Sequence, residues 1–152
     1  PILINISFKI KCISNGYSHS IFISQNGNIY GCGSNGCGQL GLNTTGTRET
    51  DIKQLDNTYF KNEIPIKCVC GFSHTNVLTN KGNVFSFGDN SHAALGIGKI
   101  HQNVSIPTKV EELKNPFITD IHCGTDHCAC LSNDNNVYMF GDNSTNQCGM
   151  EN

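Results

Sequence analysis

Apolar and polar residues alternate along Phe8-Lys9-Ile10-Lys11-Cys12-Ile13, at the two-residue period of a strand with one buried face. Gly16-Tyr17-Ser18 breaks the run, and Ser20-Ile21-Phe22-Ile23 begins a second one. Gln25-Asn26-Gly27-Asn28 separates it from Ile29-Tyr30-Gly31-Cys32, and an Asn-Gly pair between two β-rich runs predicts a hairpin turn. A glycine cluster, Gly33-Ser34-Asn35-Gly36-Cys37-Gly38-Gln39-Leu40-Gly41, closes the unit.

The chain writes this plan three times. Glycine, two residues and histidine recur as Gly16 with His19, Gly71 with His74, and Gly124 with His127. Hairpin positions follow at Gly27 and Gly82, with Asn135 in the third copy, where asparagine tolerates positive φ. Second glycines stand at Gly33, Gly88 and Gly141, and closing glycines at Gly41, Gly96 and Gly149. From His19 to His74 is 55 residues and from His74 to His127 is 53. Such a period marks a repeat architecture, here an all-β chain of propeller blades built from short antiparallel strands.

The boundaries run 8–63 for the first repeat with its connection, 64–115 for the second, and 116–152 for an incomplete third. Two connections do not repeat. Asn43 to Glu63 is polar, with Ile52 and Leu55 as aliphatic anchors before Tyr59-Phe60, and is expected to hold one short edge strand and otherwise to be exposed. Lys99 to Asn115 contains Val104-Ser105-Ile106-Pro107-Thr108-Lys109-Val110, where the proline argues for an edge strand. No stretch reads as a helix.

Charge narrows the function classes. The net charge is −2 and the ten basic residues are scattered, which disfavours direct nucleic-acid binding and gives no attraction to an anionic membrane. No apolar run approaches a membrane span, no signal peptide is read, and the lack of an initiator methionine predicts an intracellular fragment of a longer chain, cytoplasmic or nuclear. Nine cysteines cannot all pair with one another, and Cys12, Cys32, Cys68, Cys70, Cys123 and Cys130 sit in apolar strand-like runs, so buried reduced thiols are expected. The close pairs Cys68/Cys70 and Cys128/Cys130, with Cys123, His122 and His127 nearby, lack the turn between ligands that zinc sites use, so no metal is assigned.

Cys70-Gly71-Phe72-Ser73-His74, Cys123-Gly124-Thr125-Asp126-His127, the hairpins Gly27-Asn28-Ile29-Tyr30 and Gly82-Asn83-Val84-Phe85, the turns Gly88-Asp89-Asn90 and Gly141-Asp142-Asn143, and the close Gly38-Gln39-Leu40-Gly41 together form a pattern. It resembles the regulator-of-chromosome-condensation repeat, over residues 8 to 150. The chain departs from that pattern in having no tryptophan, in Asn15 where the first copy's cysteine would stand, and in the altered closes Ala93-Ala94-Leu95-Gly96 and Asn146-Gln147-Cys148-Gly149. The resemblance implies a seven-bladed propeller, of which three repeats are less than half, with further repeats expected in the parent chain.

Gly31-Cys32-Gly33-Ser34-Asn35-Gly36 fits the dinucleotide-loop pattern, but Cys37-Gly38-Gln39-Leu40-Gly41 is poor material for the helix that a phosphate site needs. These are read as turn glycines, with no cofactor. His19, His74 and His127 recur once per repeat, which suits blade packing rather than catalysis, each ring expected to bond a neighbouring backbone carbonyl. His92, His101 and His122 lie outside the register, without an evident partner. Asp89 and Asp142 are expected to cap their own turns. No cysteine has an identifiable base and no catalytic residue is assigned, so the reading is a non-enzymatic, protein-binding regulatory module that contacts its partner through the two connections. The resemblance implies two alternatives: guanine-nucleotide exchange on a Ran-type small GTPase, and a regulatory propeller within a larger ubiquitin ligase or kinase.

Overall fold

The structure, a computed structural model, describes residues 3–98 and 102–149. Its first sheet joins β1 (Ile10–Asn15), β2 (His19–Ser24), β3 (Ile29–Asn35) and β4 (Thr47–Gln54) as an antiparallel meander in sequence order. The second repeats this with β5 (Pro65–Cys70), β6 (His74–Thr79), β7 (Val84–Gly88) and β8 (Val104–Lys109), and the third holds β9 (Ile118–Cys123), β10 (His127–Ser132) and β11 (Val137–Gly141). The only helical turns among the described residues are two short 3-10 turns, Asn57–Phe60 and Glu111–Leu113.

Hairpin chemistry sets the register of each meander. Gly27, Gly82 and Asn135 take φ of 78°, 71° and 64°, and their N–H groups donate to Ser24, Thr79 and Ser132 carbonyls at 2.9, 3.0 and 3.1 Å. Asparagine thus makes in the third sheet the turn that glycine makes in the first two. The turn fixes the pairing behind it, His19 opposite Gly33, His74 opposite Gly88 and His127 opposite Gly141.

The core lies between sheets, not within one. Ile21, Ile23, Ile29 and Leu40 of the first sheet and its loops meet Cys68, Val77, Phe85 and Phe87 of the second. Leu78 and Val84 of the second meet Ile118, Ile121 and Cys130 of the third across the next gap, with Val110 and Leu113 from the connection. In consequence β6 and β7 are buried at every position, whereas β2 alternates. Strand β5 packs on β1 and β2 before it, and β9 on β5 and β6, so the first strands line up at the inner edge. Strands β4 and β8 form the outer rim. This is the stacked, single-core-per-gap construction of propeller blades.

The first connection is more anchored than expected. Its edge strand β4 runs eight residues and is largely exposed, but Leu55 is buried and Phe60 packs edge-on against Phe85, with ring centroids 5.1 Å apart. Asp56 caps the 3-10 turn by accepting from the Thr58 N–H at 2.9 Å. Pro107 lies in β8, at the outer edge of its sheet, where the missing N–H costs no ladder bond.

Candidate partner-binding surface

Each Gly-x-x-His turn places an imidazole directly over its glycine, so a Cβ at Gly16, Gly71 or Gly124 would strike the ring of His19, His74 or His127. The rings of the first two then reach into the next sheet. His19 Nε2 lies 3.0 Å from Thr75 Oγ1, and His74 Nε2 lies 3.3 Å from Cys128 Sγ. Both partners are side chains one residue past the next histidine, not the backbone carbonyls expected from the sequence. A carbonyl partner suits an isolated repeat, whereas stacking brings the following repeat's hydroxyl or thiol within reach. The His127 ring covers Gly124 in the same manner, with no following sheet among the described residues.

Facing each histidine across its hairpin, Gly33, Gly88 and Gly141 hold φ of 100°, 109° and 107°, where a side chain would also meet the preceding strand's backbone. Two residues on, Asn35, Asn90 and Asn143 accept through Oδ1 from the N–H of Leu40, Leu95 and Cys148, at 3.0, 3.1 and 3.0 Å. These side-chain bonds shape the closing loops that end at Gly41, Gly96 and Gly149, all with positive φ. Asp89 and Asp142 accept from the N–H of Ser91 and Ser144 at 2.9 and 3.1 Å, capping their own turns. Gly31 and Gly33 lie within strand β3 rather than in the turn expected from the sequence, and no α-helix follows the stretch among the described residues, so no helix N-terminus faces it.

The two connections come together at the rim. Asn43 N–H donates to the Ser105 carbonyl at 2.9 Å, and β8 lies against the first 3-10 turn. Between them runs a groove lined by Tyr59, Lys61, Ile106, Pro107 and Lys109. Beside it a cavity of about 320 Å³ is bordered by Val104, Ile106, Thr108 and Glu111. Elsewhere on the first connection, strand β4 exposes Arg48, Asp51 and Lys53. Residues 99–101, which open the second connection and include His101, lie outside the described residues.

The sequence reading missed a second feature. Tyr17 and Phe72 stack with centroids 4.3 Å apart, 76% and 43% exposed, at the turns between first and second strands. The signal was present as an aromatic residue after the glycine in two of three copies. Two other histidines also have partners: His92 Nδ1 lies 3.1 Å from Ser91 Oγ, and His122 Nε2 lies 3.2 Å from Asp120 Oδ2. Asp120 also pairs with Lys67 across the second gap, and that ammonium holds its carboxyl below the usual range.

All nine cysteines are unpaired. Cys68, Cys128, Cys130 and Cys148 are buried, while Cys12, Cys32, Cys37, Cys70 and Cys123 are half-buried, more accessible than an interior thiol of the kind expected for Cys12, Cys32, Cys70 and Cys123. Cys12 and Cys68 approach to 3.6 Å, and the hydrogen bond from Cys68 pulls the Cys12 thiol down to about 6 while Cys68 is pushed up. In the second gap Cys128 is pushed up by burial, and its hydrogen bond favours the thiolate at Cys123. The sequence suggested no base for any cysteine, yet His74 stands beside Cys128. That pair is buried, with Cys128 only 2% exposed.

Two family models, both described as the Regulator of chromosome condensation (RCC1) repeat, match residues 81–131 and residues 10–39, 66–93 and 118–147. The human Probable E3 ubiquitin-protein ligase HERC6 is 32% identical over 90% of the chain and 13% of its own length. The Ultraviolet-B receptor UVR8 of Arabidopsis thaliana is 31% identical over 95% of the chain and 32% of its own length. The crystal structure of Prp20p from Saccharomyces cerevisiae superimposes with a TM-score of 0.80 at 19% identity, covering 92% of the chain and 34% of Prp20p. The chain therefore spans about a third or less of these three proteins.

Proposed function

For a chain that belongs to the regulator of chromosome condensation repeat family, we propose a role as a non-enzymatic, protein-binding part of a larger regulatory propeller. The observation that carries this reading is the meeting of the two non-repeating connections at the rim, where Asn43 bonds Ser105 and the first 3-10 turn lies on β8. Whatever differs between repeats is free to specify a partner, and here those segments form one continuous surface. The repeats 8–63, 64–115 and 116–152 act as one unit, and the glycines and histidines that recur in them serve packing. Further repeats in the parent chain would cover the outer faces of the first and third sheets, as the second sheet is covered on both of its own.

The partner is a protein. Prp20p is described with its binding to Gsp1p and histones, and HERC6 is named a probable ubiquitin ligase, so a small GTPase partner and a place within a larger ligase are the finer alternatives. Reduced thiols at nine positions suit a cell interior. Exchange activity would need no covalent chemistry, only tighter binding of the nucleotide-free GTPase. Release of labelled guanine nucleotide from a panel of small GTPases, with the full-length parent protein, separates the readings. The binding module leaves every release rate unchanged, and acceleration of any one GTPase replaces this reading with exchange.

A further inference from the structure

His74, Cys123 and Cys128 bring an imidazole nitrogen and two sulfurs within 4.8 Å of one another, and among the described residues they are the only such cluster of three. The donors come from two sheets. His74 begins β6, while Cys123 and Cys128 face each other across β9 and β10 as paired residues, with sulfurs 2.8 Å apart. His74 Nε2 completes the triangle at 3.3 Å from Cys128 Sγ. Cys123 and Cys128, with four residues between them, fall within the spacing of a zinc-type cysteine pair, but His74 stands 49 residues before Cys123 in the preceding repeat, so the sequence does not join it to them.

Both sulfurs already receive a hydrogen bond from one amide. Asn76 Nδ2 donates to Cys128 Sγ at 3.0 Å and to Cys123 Sγ at 3.3 Å, while its Oδ1 accepts from Ser86 Oγ, which fixes the amide with its NH2 toward the sulfurs. Hydrogen bonds of this kind stabilise thiolate ligands and hold them in position. Two thiolates and one imidazole nitrogen form a soft donor set, preferred by zinc(II) and copper(I) over magnesium or calcium.

The first gap supplies an internal comparison. At the equivalent positions stand His19, Cys70 and Thr75, and Thr75 Oγ1 lies 3.0 Å from His19 Nε2 while donating to the Gln39 carbonyl at 2.8 Å. There the contact is a hydroxyl strut with its bonds satisfied. Replacement of that hydroxyl by the Cys128 thiol converts the same locus into a pair of sulfurs facing an imidazole. The two gaps share a backbone plan and differ in donor chemistry.

We propose that His74 Nε2, Cys123 Sγ and Cys128 Sγ bind one thiophilic d10 cation, zinc(II) or copper(I), clamping the third sheet to the second. Binding displaces the two thiol protons to solvent as both sulfurs become thiolates, and no electron transfer is involved. Half-buried Cys123 borders the shallow inner cavity lined also by Gly71, Phe72 and Gly124, through which the ion enters and a water supplies a further ligand to zinc.

The test uses the intact protein, reduced and freed of metal. Titration with cobalt(II) as a spectroscopic stand-in for zinc, zinc competition with a chromophoric chelator, and copper(I) competition with a copper(I)-specific chelator read the site directly. One equivalent is expected, with cobalt giving sulfur-to-metal charge-transfer absorption. Cys128→Thr, which reproduces the first gap's chemistry and so preserves packing, removes the signal; Thr75→Cys adds a second equivalent. Retention by zinc alone or copper(I) alone identifies the ion. Absence of any bound equivalent, binding unchanged in Cys128→Thr, or isolation of a Cys123–Cys128 disulfide from reducing buffer overturns the proposal.

Discussion

Burial of the His19 imidazole, with the neighbouring His74 adding to it, lowers its pKa from 6.5 to about 4. The unfolded chain takes up this proton near pH 6.5 and the folded chain only near pH 4. Between those values the unfolded state binds more protons, so this group's stability is fully present above pH 6.5 and is lost as pH falls toward 4. The full window is on the order of 3 kcal/mol. His19→Gln is expected to reduce the difference in urea unfolding free energy between pH 7 and pH 4.5 by about 2 to 3 kcal/mol relative to the parent. An unchanged pH profile would assign the loss to other groups. At this scale the sequence announced where the histidines and glycines stand but not what the rings touch. The partners Thr75 and Cys128 lie 56 and 54 residues away, and only stacking at the repeat period brings them near.

Among the elements, the first connection shows how a polar stretch acquires an ordered place. Phe60 is fully buried against Phe85 in the first gap, whereas Ile52 on the edge strand β4 is only half-buried. Phe60→Ala should therefore cost about 3 to 5 kcal/mol in chemical denaturation, and Ile52→Ala about 1 kcal/mol or less. Equal costs would mean that the connection is not anchored through its 3-10 turn. The strands themselves were legible, because alternation, hairpin signals and Pro107 are local properties of the chain. Of the connection's anchors Leu55 was legible and is buried, but the burial of Phe60 was not, since it sits among polar neighbours and packs against Phe85 of the next sheet. The meeting of His74 with Cys123 and Cys128 was hidden for a related reason: the two cysteines are near in sequence, but stacking brings the imidazole from the preceding repeat.

For the whole molecule, three sheets share two gaps, and each gap is closed by apolar residues from both sides together with one histidine strut. The repeat period made this architecture readable, since blades too small to bury their own faces must stack. The partner-binding role is less legible, because it depends on segments that escape the repeat and on how stacking sets them side by side. The measurement that tests this account most directly is cross-linked capture of bound protein by the full-length parent, compared with a variant in which the exposed Arg48, Asp51, Lys53, Lys61, Glu111 and Glu112 of the two connections are replaced by serine. Strands β4 and β8 and the buried Leu55, Phe60, Val110 and Leu113 are left in place to preserve the sheets and the gaps. The account predicts that a discrete partner captured by the parent is lost from a variant whose sheet content and unfolding midpoint are retained. Capture of the same partner at the same yield by that folded variant would contradict it.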